Sequence, residues 1–179
     1  MKKIILGDNL KVLPTLPKEF ARLVYIDPPF NTGIVQKRDR IKAVSSENGT
    51  GDRIGFGGRN YVTEKVESSS YTDSFDDFEK FLMPRIKEAL RCMTPDASIF
   101  VHLDYREVHY IKVELDKLLG RGNFMNEIIW AYDYGGRAKS KWSSKHDTIL
   151  WYALNPNKYV FNFDEMDRIP YMAPGLVTP

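Results

Sequence analysis

The pattern of apolar and polar residues along the chain is typical of an α/β protein. Short apolar runs rich in β-branched and aromatic residues predict strands, and apolar residues that recur every three or four positions predict helices. The predicted strands cover residues 3–6, 22–26, 97–103, 126–132 and 147–153. The predicted helices cover residues 8–13, 74–92 and 105–119.

Residues at the ends of these helices support their boundaries. Asp8 and Ser74 are of the type that caps a helix N-terminus, and Gly120 is of the type that ends a helix. Pro14 stops the first helix. Pro84 lies inside the second predicted helix, so we expect it to kink that helix or to begin another.

The segment from residue 31 to residue 70 has no clear periodicity and is rich in polar residues and glycine, so it predicts a long mobile loop. A dinucleotide-binding glycine loop needs a strand before it and a helix after it. The residues on either side of these glycines predict neither, and we therefore interpret them as parts of a flexible loop. The glycines are Gly49, Gly51, Gly55, Gly57 and Gly58.

Composition limits the class of protein without choosing a function. A chain of 179 residues with 42% hydrophobic residues is long and apolar enough for one domain with a core. The net charge of +2 does not by itself indicate a nucleic-acid partner. The single cysteine, Cys92, excludes an internal disulfide and fits a reducing cytoplasm. No apolar run has the length of a signal peptide or a membrane span, so we expect a cytoplasmic protein without a membrane partner.

The strand over residues 22–26 ends in residues with specific chemistry. Asp27, Pro28, Pro29 and Phe30 follow it directly, at the sheet edge where open α/β folds bind ligands. Proline has no N–H and a nearly fixed φ, so its carbonyl is held in one direction. A carboxylate and such a carbonyl can accept both hydrogens of a planar amine.

An aromatic ring beside those acceptors suggests what the amine belongs to. Phe30 can stack on the ring that carries it, as in the exocyclic amine of a nucleobase flipped out of a duplex. Taken alone, the four residues are better explained by a strand that ends in a proline turn.

The residues around the tetrapeptide decide between these interpretations. Asp27-Pro28-Pro29-Phe30 resembles the catalytic signature of the amino-methylating DNA methyltransferases. Further blocks resemble, in matching order, the circularly permuted (beta-type) branch found in many restriction–modification systems. The resemblance covers nearly the whole chain and is weakest over residues 34–70. The blocks are residues 7–10, 16–17, 25–33, 98–104, 123–130 and 146–152.

The resemblance implies a Rossmann-like, S-adenosylmethionine-dependent methyltransferase sheet with the family strand order 3-2-1-4-5-7-6. Residues 3–6 correspond to family strand 3 and residues 22–26 to strand 4. The family's second signature, Phe-x-Gly-x-Gly, and strands 1 and 2 have no counterpart here. We therefore expect residues 1–169 to form an incomplete sheet, the N-terminal catalytic half, followed by a linker-like tail over residues 170–179. The catalytic strand becomes an open edge, and tight cofactor binding requires the missing C-terminal segment or a complementing chain.

The resemblance also implies roles for single residues. Asp27, Pro28, Pro29 and Phe30 are the catalytic residues, and Asp27 also lies near the cofactor, S-adenosyl-L-methionine. Asp8 corresponds to an acid beside the cofactor's adenosine, although helix capping explains it equally well. Asn31 is expected to assist at the DNA-facing rim.

Two basic segments are candidate contacts for double-stranded DNA. Between residues 31 and 65, seven basic residues accompany four acidic ones, so this segment can close over phosphates or a flipped base. Residues 132–146 predict a hairpin whose aromatic and basic residues suit base stacking and phosphate binding, although a solvated hairpin tip has the same composition. The basic residues of that hairpin are Arg137, Lys139, Lys141 and Lys145.

His102 and Asp104 end the strand over residues 97–103, on the same rim as Asp27. The favoured interpretation of His102 is a core histidine with one satisfied nitrogen. His109 and His146 do not have metal-ligand spacing with Cys92 or each other, and we expect no metal site.

The predicted function is site-specific methylation of the exocyclic amine of adenine in DNA. In the family an acid at the first signature position accompanies adenine and a serine accompanies cytosine, so Asp27 favours adenine. The alternatives are cytosine methylation, an inactive DNA-binding remnant, and methylation of protein amides as in glutamine methyltransferases with an Asn-Pro-Pro-Tyr-like signature. A homodimer or a restriction subunit are the further possible partners.

Overall fold

The computed structural model describes residues 2–46, 51–55 and 58–167, which form two sheets. Four strands make a mixed sheet with helices on one face, and three strands make a separate antiparallel sheet. Three 3-10 turns complete the described elements, at Leu13–Thr15, Arg121–Asn123 and Phe163–Glu165. The helices and strands are α1 (Asn9–Val12), β1 (Ala21–Ile26), β2 (Ile34–Ser45), β3 (Arg53–Ile54), β4 (Asn60–Asp73), α2 (Phe78–Arg91), β5 (Met93–Leu103), α3 (Val108–Leu119), β6 (Phe124–Ala131) and β7 (His146–Ala153).

The larger sheet has the order β1-β5-β7-β6. β1 is parallel to β5, with Tyr25 opposite Phe100, and β7 is antiparallel to both β5 and β6. This order reproduces the 4-5-7-6 part of the family order, so the expected incomplete α/β sheet is confirmed. Among the described strands β1 pairs on one side alone, and Leu23 and Tyr25 on it are 63% and 51% exposed.

The hydrophobic core lies between this sheet and helices α2 and α3. Alternate β5 residues such as Ile99 and Val101 are fully buried against Ile86 of α2 and Ile111 of α3. Because the helices hold β5 from one face, the carboxyl ends of β5 and its parallel neighbour β1 are fixed side by side.

The helices follow the predictions with small differences. Asp8 caps α1 by accepting the Leu10 N–H at 3.1 Å. The prediction that Ser74 caps α2 is wrong, because α2 begins at Phe78 and the Asp77 carboxylate accepts the Lys80 N–H at 2.9 Å. α2 continues through Pro84 as one helix. Pro84 lies on its exposed side, where water can satisfy the carbonyl that proline leaves unpaired.

The predicted strand over residues 3–6 is wrong. These residues have no strand structure, and Ile4 and Leu6 are almost completely exposed. A strand is stable when its backbone joins a ladder, and no described strand lies beside this segment to offer one.

The predicted long loop over residues 31–70 is also wrong, because β2 and β4 form an antiparallel hairpin to which β3 adds a third strand. Both faces of this sheet are largely exposed, so the usual alternation of apolar and polar residues is missing from its sequence. Cross-strand pairs support it instead, with Lys65 Nζ 2.8 Å from the Asp39 carboxylate. Gly49 and Gly57 of the predicted loop, and the predicted tail over residues 170–179, lie outside the described residues.

Candidate active site at the carboxyl end of β1

The Asp27–Phe30 segment begins where β1 ends, beside the end of β5. The Asp27 side chain is 59% exposed, and its Oδ1 lies 3.7 Å from Nδ1 of His102. The Phe30 ring centroid lies 5.5 Å from that of His102. The four predicted catalytic residues therefore share one exposed edge of the sheet with a histidine from the neighbouring strand.

The turn after Phe30 is held by a buried acid, Asp73 at the end of β4. Its carboxylate accepts the Asn31 N–H at 2.8 Å and the Thr32 hydroxyl at 2.5 Å. Asn31 itself has a φ of +55°, a left-handed conformation that asparagine tolerates better than most residues. The hairpin and the signature are thus fixed to each other through one carboxylate.

The Asn31 side chain is engaged within the protein. Its Oδ1 accepts the Phe75 N–H at 2.9 Å, and its Nδ2 donates to Glu107 Oε1 at 2.6 Å. These bonds give Asn31 a role in shaping the turn, and its DNA contact stays a prediction. The sequence offers no local pattern that links Asn31 to Asp73, 42 positions away, so this support was not predicted.

We expect the Asp73→Ala variant to lower the free energy of unfolding by about 2 kcal/mol, because a buried charged acceptor for two donors is lost. Urea denaturation followed by circular dichroism measures this. Asp76→Ala, in the exposed turn before α2, is the matched control and should change the midpoint little. Equal midpoints for both variants would contradict the role of Asp73.

A cleft of about 640 Å³ opens in front of the signature, a size suited to an organic ligand. The hairpin supplies its far wall, where Gln36 of β2 lies opposite Tyr71 of β4. The lining residues are Asp27, Pro28, Pro29, Phe30, Thr32, Gln36, Tyr71, Asp73 and His102. The segment predicted to be a loop therefore forms part of the candidate site.

A second cleft, of about 390 Å³, lies between α1, β1 and α2. It shares Asp27, Pro28 and Pro29 with the first cleft, so the two meet at the signature. Its other lining residues include Asn9 and Leu13, the apolar Val24, Ile26, Phe81 and Leu82, and Arg85. A group bound in one cleft would lie next to a group bound in the other.

Asp8 precedes α1, and its Oδ1 accepts the Leu10 N–H and lies 3.4 Å from a nitrogen of Arg85, which lines this second cleft. Arg85 also packs over the Phe81 ring at 4.0 Å and donates to its carbonyl at 2.6 Å. The capping role of Asp8 is therefore confirmed, and its cofactor contact stays a prediction.

Residues 132–145 connect the antiparallel strands β6 and β7, as the predicted hairpin requires. Arg137, Lys139 and Lys141 are exposed, and Trp142 between β6 and β7 is 98% exposed. Lys145 differs, because its Nζ donates to the Tyr134 carbonyl at 2.6 Å and so closes the base of the loop. The DNA contacts of these four basic residues stay predictions.

Comparison with known proteins agrees with this geometry. A family model described as DNA methylase matches residues 21–172. The Mod subunit of the type III restriction-modification enzyme EcoP15I from Escherichia coli is 27% identical over 163 residues, which are 88% of this chain and 25% of the subunit. The DNA adenine methyltransferase YhdJ of E. coli K12 is 25% identical over 164 residues, which are 91% of this chain and 45% of YhdJ. The chain thus spans less than half the length of these curated relatives.

A solved structure shares the fold. The cytosine-N4-specific PvuII DNA methyltransferase aligns with a TM-score of 0.50 at 12% identity, over 84% of this chain and 48% of that one.

No helix among the described residues is long and apolar enough to cross a membrane. The match of the family model over most of the chain, together with the strand order and the signature at the sheet edge, establishes that the chain belongs to the N6/N4 DNA methylase family.

Proposed function

We propose that this chain is the catalytic half of a site-specific DNA methyltransferase that transfers a methyl group from S-adenosyl-L-methionine to the exocyclic amine of adenine. The observation that carries the proposal is that two clefts meet at Asp27, Pro28 and Pro29. Methyl transfer requires that the amine nucleophile and the methyl donor be bound next to each other. Two clefts that meet at the same three residues can each bind one of these reactants.

The residues of the signature divide the work on the target base. The Asp27 carboxylate and the Pro28 carbonyl accept hydrogen bonds from the two amine hydrogens. This moves the nitrogen toward tetrahedral geometry and reduces the conjugation of its lone pair with the ring, so that the lone pair is available for attack. Pro29 holds the turn rigid. Phe30 stacks on the flipped base in the 640 Å³ cleft, and Tyr71, 56% exposed on the opposite wall, offers a second aromatic surface.

The second cleft fits part of S-adenosyl-L-methionine by its chemistry. Apolar side chains of the cleft suit an adenine ring, and the Asp27 carboxylate that lines it suits hydroxyl and cationic groups. Asp8 lies next to this cleft, against its lining residue Arg85. When bound, this cofactor supplies an electrophilic methyl group on a positively charged sulfur. Asp8 and Asp27 are the residues of this chain that we expect to hold it.

The preference for adenine rests on Asp27 at the first signature position and agrees with the similarity to YhdJ, a DNA adenine methyltransferase. Cytosine is the second candidate, because the structural neighbour PvuII methyltransferase is cytosine-N4-specific.

Two observations suggest partners for this chain: the exposed edge of β1, and the greater length of the relatives that it matches. β1 presents an unpaired edge among the described strands, and such edges readily accept another strand. We propose that a C-terminal segment or a complementing chain pairs there and completes the cofactor site. The substrate that we expect is double-stranded DNA. A second copy of this chain or a restriction subunit is a further expected partner, and the cytoplasm is the expected location.

The test is methyl transfer from labelled S-adenosyl-L-methionine, with unmethylated DNA and a glutamine-containing protein offered as competing acceptors. The assay uses this chain alone and together with the part of YhdJ that it does not match. Label in DNA supports the proposal. Label in protein alone would favour an amide methyltransferase, and DNA binding without transfer in a folded complex would favour an inactive remnant.

A further inference from the structure

His102 carries a buried ring nitrogen that, in the part of the chain that the structure describes, has no hydrogen-bond partner. Its Nδ1 lies 2.9 Å from the Tyr25 hydroxyl. Its Nε2 is fully buried without a hydrogen-bond partner, and a carboxylate oxygen of Asp147 lies 3.5 Å away. A buried polar nitrogen without a partner is costly, and such atoms often have a functional reason.

The surrounding groups fix the tautomer of this histidine. An ionised carboxylate can only accept, so Asp147, 3.5 Å from Nε2, places the imidazole proton on that nitrogen. The Tyr25 hydroxyl then donates to Nδ1, and burial, followed by the charge of Asp27, raises the pKa of Tyr25. The Tyr132 hydroxyl donates to the other oxygen of the Asp147 carboxylate at 3.2 Å. Burial, followed by the charge of Asp147, raises the pKa of Tyr132.

This arrangement leaves Nδ1 as an acceptor that points toward the signature. The Asp27 carboxylate lies 3.7 Å from Nδ1, and the His102 side chain is 15% exposed at the wall of the 640 Å³ cleft. Asp147 thus lies at one ring nitrogen, and Tyr25 and Asp27 lie at the other.

We infer that His102 is a positioning residue that packs against Phe30 and receives, through Asp27, the proton that the target amine releases. The inference rests on the proposed function and deepens it. A base stacked on Phe30 would cover the exposed side of Asp27, so the carboxylate would then need a route for the proton other than direct release to water.

The proton balance is simple. The amine lone pair forms the bond to the methyl carbon, the bond from that carbon to sulfur breaks, and its electron pair stays on sulfur. The amine nitrogen then carries a positive charge and one surplus proton. Asp27 takes this proton and passes it to Nδ1 of His102, while the Tyr25 hydroxyl turns to accept. The imidazolium formed is stabilised by the Asp147 carboxylate and later releases the proton to water.

The tautomer can be measured on the chain alone, without cofactor or DNA. Two-dimensional ¹⁵N NMR of the histidine side chains should show His102 with its proton on Nε2. Asp147→Asn should shift the His102 population toward the other tautomer, while His109, exposed on α3, stays unchanged as an internal reference. A wild-type His102 that carries its proton on Nδ1 would overturn the inference.

Chemical rescue separates proton acceptance from simple packing. We expect His102→Ala to lower the single-turnover rate at saturating DNA by about 100-fold, the lower range for a positioned acid or base. Added imidazole should restore much of that rate, and pyrazole, which has the same size and is a far weaker base, should not. Restoration by both compounds, or by neither in a folded variant, would overturn the proton-accepting role.

The same assay keeps failure of the inference apart from failure of the proposed function. His109→Ala, at an exposed position, is the matched control and should keep the wild-type rate. Wild-type transfer with a fully active His102→Ala variant would overturn the role of His102 and leave the proposed function standing. A folded, reconstituted wild type without transfer would overturn both.

Discussion

Replacing Asp27 by alanine will lower the methyl-transfer rate by about 100- to 1,000-fold and leave most DNA binding intact. The carboxylate is 59% exposed and faces the cleft, so its loss removes an acceptor that polarises the amine without removing core packing. Phosphate contacts supply most of the affinity for DNA and lie elsewhere. Single-turnover kinetics with labelled cofactor and a fluorescence-anisotropy titration of DNA measure the two quantities.

Two variants make this experiment specific. Asp27→Asn keeps one acceptor oxygen and should lose less activity than the alanine variant. Asp76→Ala removes an exposed acid outside the two clefts and should change neither quantity. If Asp27→Ala lost DNA binding and transfer to the same extent, Asp27 would have a structural role and the proposed chemistry would be wrong.

Removing the three exposed charges of the loop between β6 and β7 will weaken DNA binding by about 100-fold in 0.1 M salt. Each cation that neutralises a phosphate contributes about 0.9 to the slope of log affinity against log salt, so the slope should fall by about 2 to 3. The variant combines Arg137→Ala, Lys139→Ala and Lys141→Ala, which are exposed, and keeps Lys145, which closes the loop.

A charge-matched control tests whether the effect belongs to this loop. Lys11→Ala, Lys87→Ala and Lys158→Ala together remove the same charge from three other exposed positions. We expect this control to change affinity by less than about 10-fold, the scale of screened, non-contacting charges. Equal losses in both triple variants would show that net charge alone matters, and that the loop does not contact DNA.

The sequence predicted the larger sheet because its strands carry their own signal. β5 is an apolar run with mostly buried residues and β1 is one with a half-buried and a more exposed face, and their order followed from the resemblance of the signature and its flanking blocks. Residues 3–6 have the same apolar character, but a strand also needs a neighbour, and none of the described strands provides one. Local composition could not reveal that difference.

The second sheet and much of the site could not be predicted for the opposite reason. β2 and β4 are exposed on both faces, so their sequences have the polar composition of a loop. Asp73 contacts Asn31 because the antiparallel pairing of β2 with β4 places the last residue of β4 beside the first residue of β2. The pairing of His102 with Asp147 likewise depends on the antiparallel placement of β7 beside β5, which no local pattern states.

The most direct measurement for the whole account is the position of a labelled methyl group after reaction with DNA. The chain, with the unmatched part of YhdJ added, is incubated with labelled S-adenosyl-L-methionine and unmethylated DNA, and the DNA is digested to nucleosides. The account predicts label in N6-methyl-2′-deoxyadenosine for the wild type and its loss in Asp27→Ala. Label in a carbon-methylated base, or equal label in N6-methyl-2′-deoxyadenosine from the Asp27→Ala variant, would contradict it.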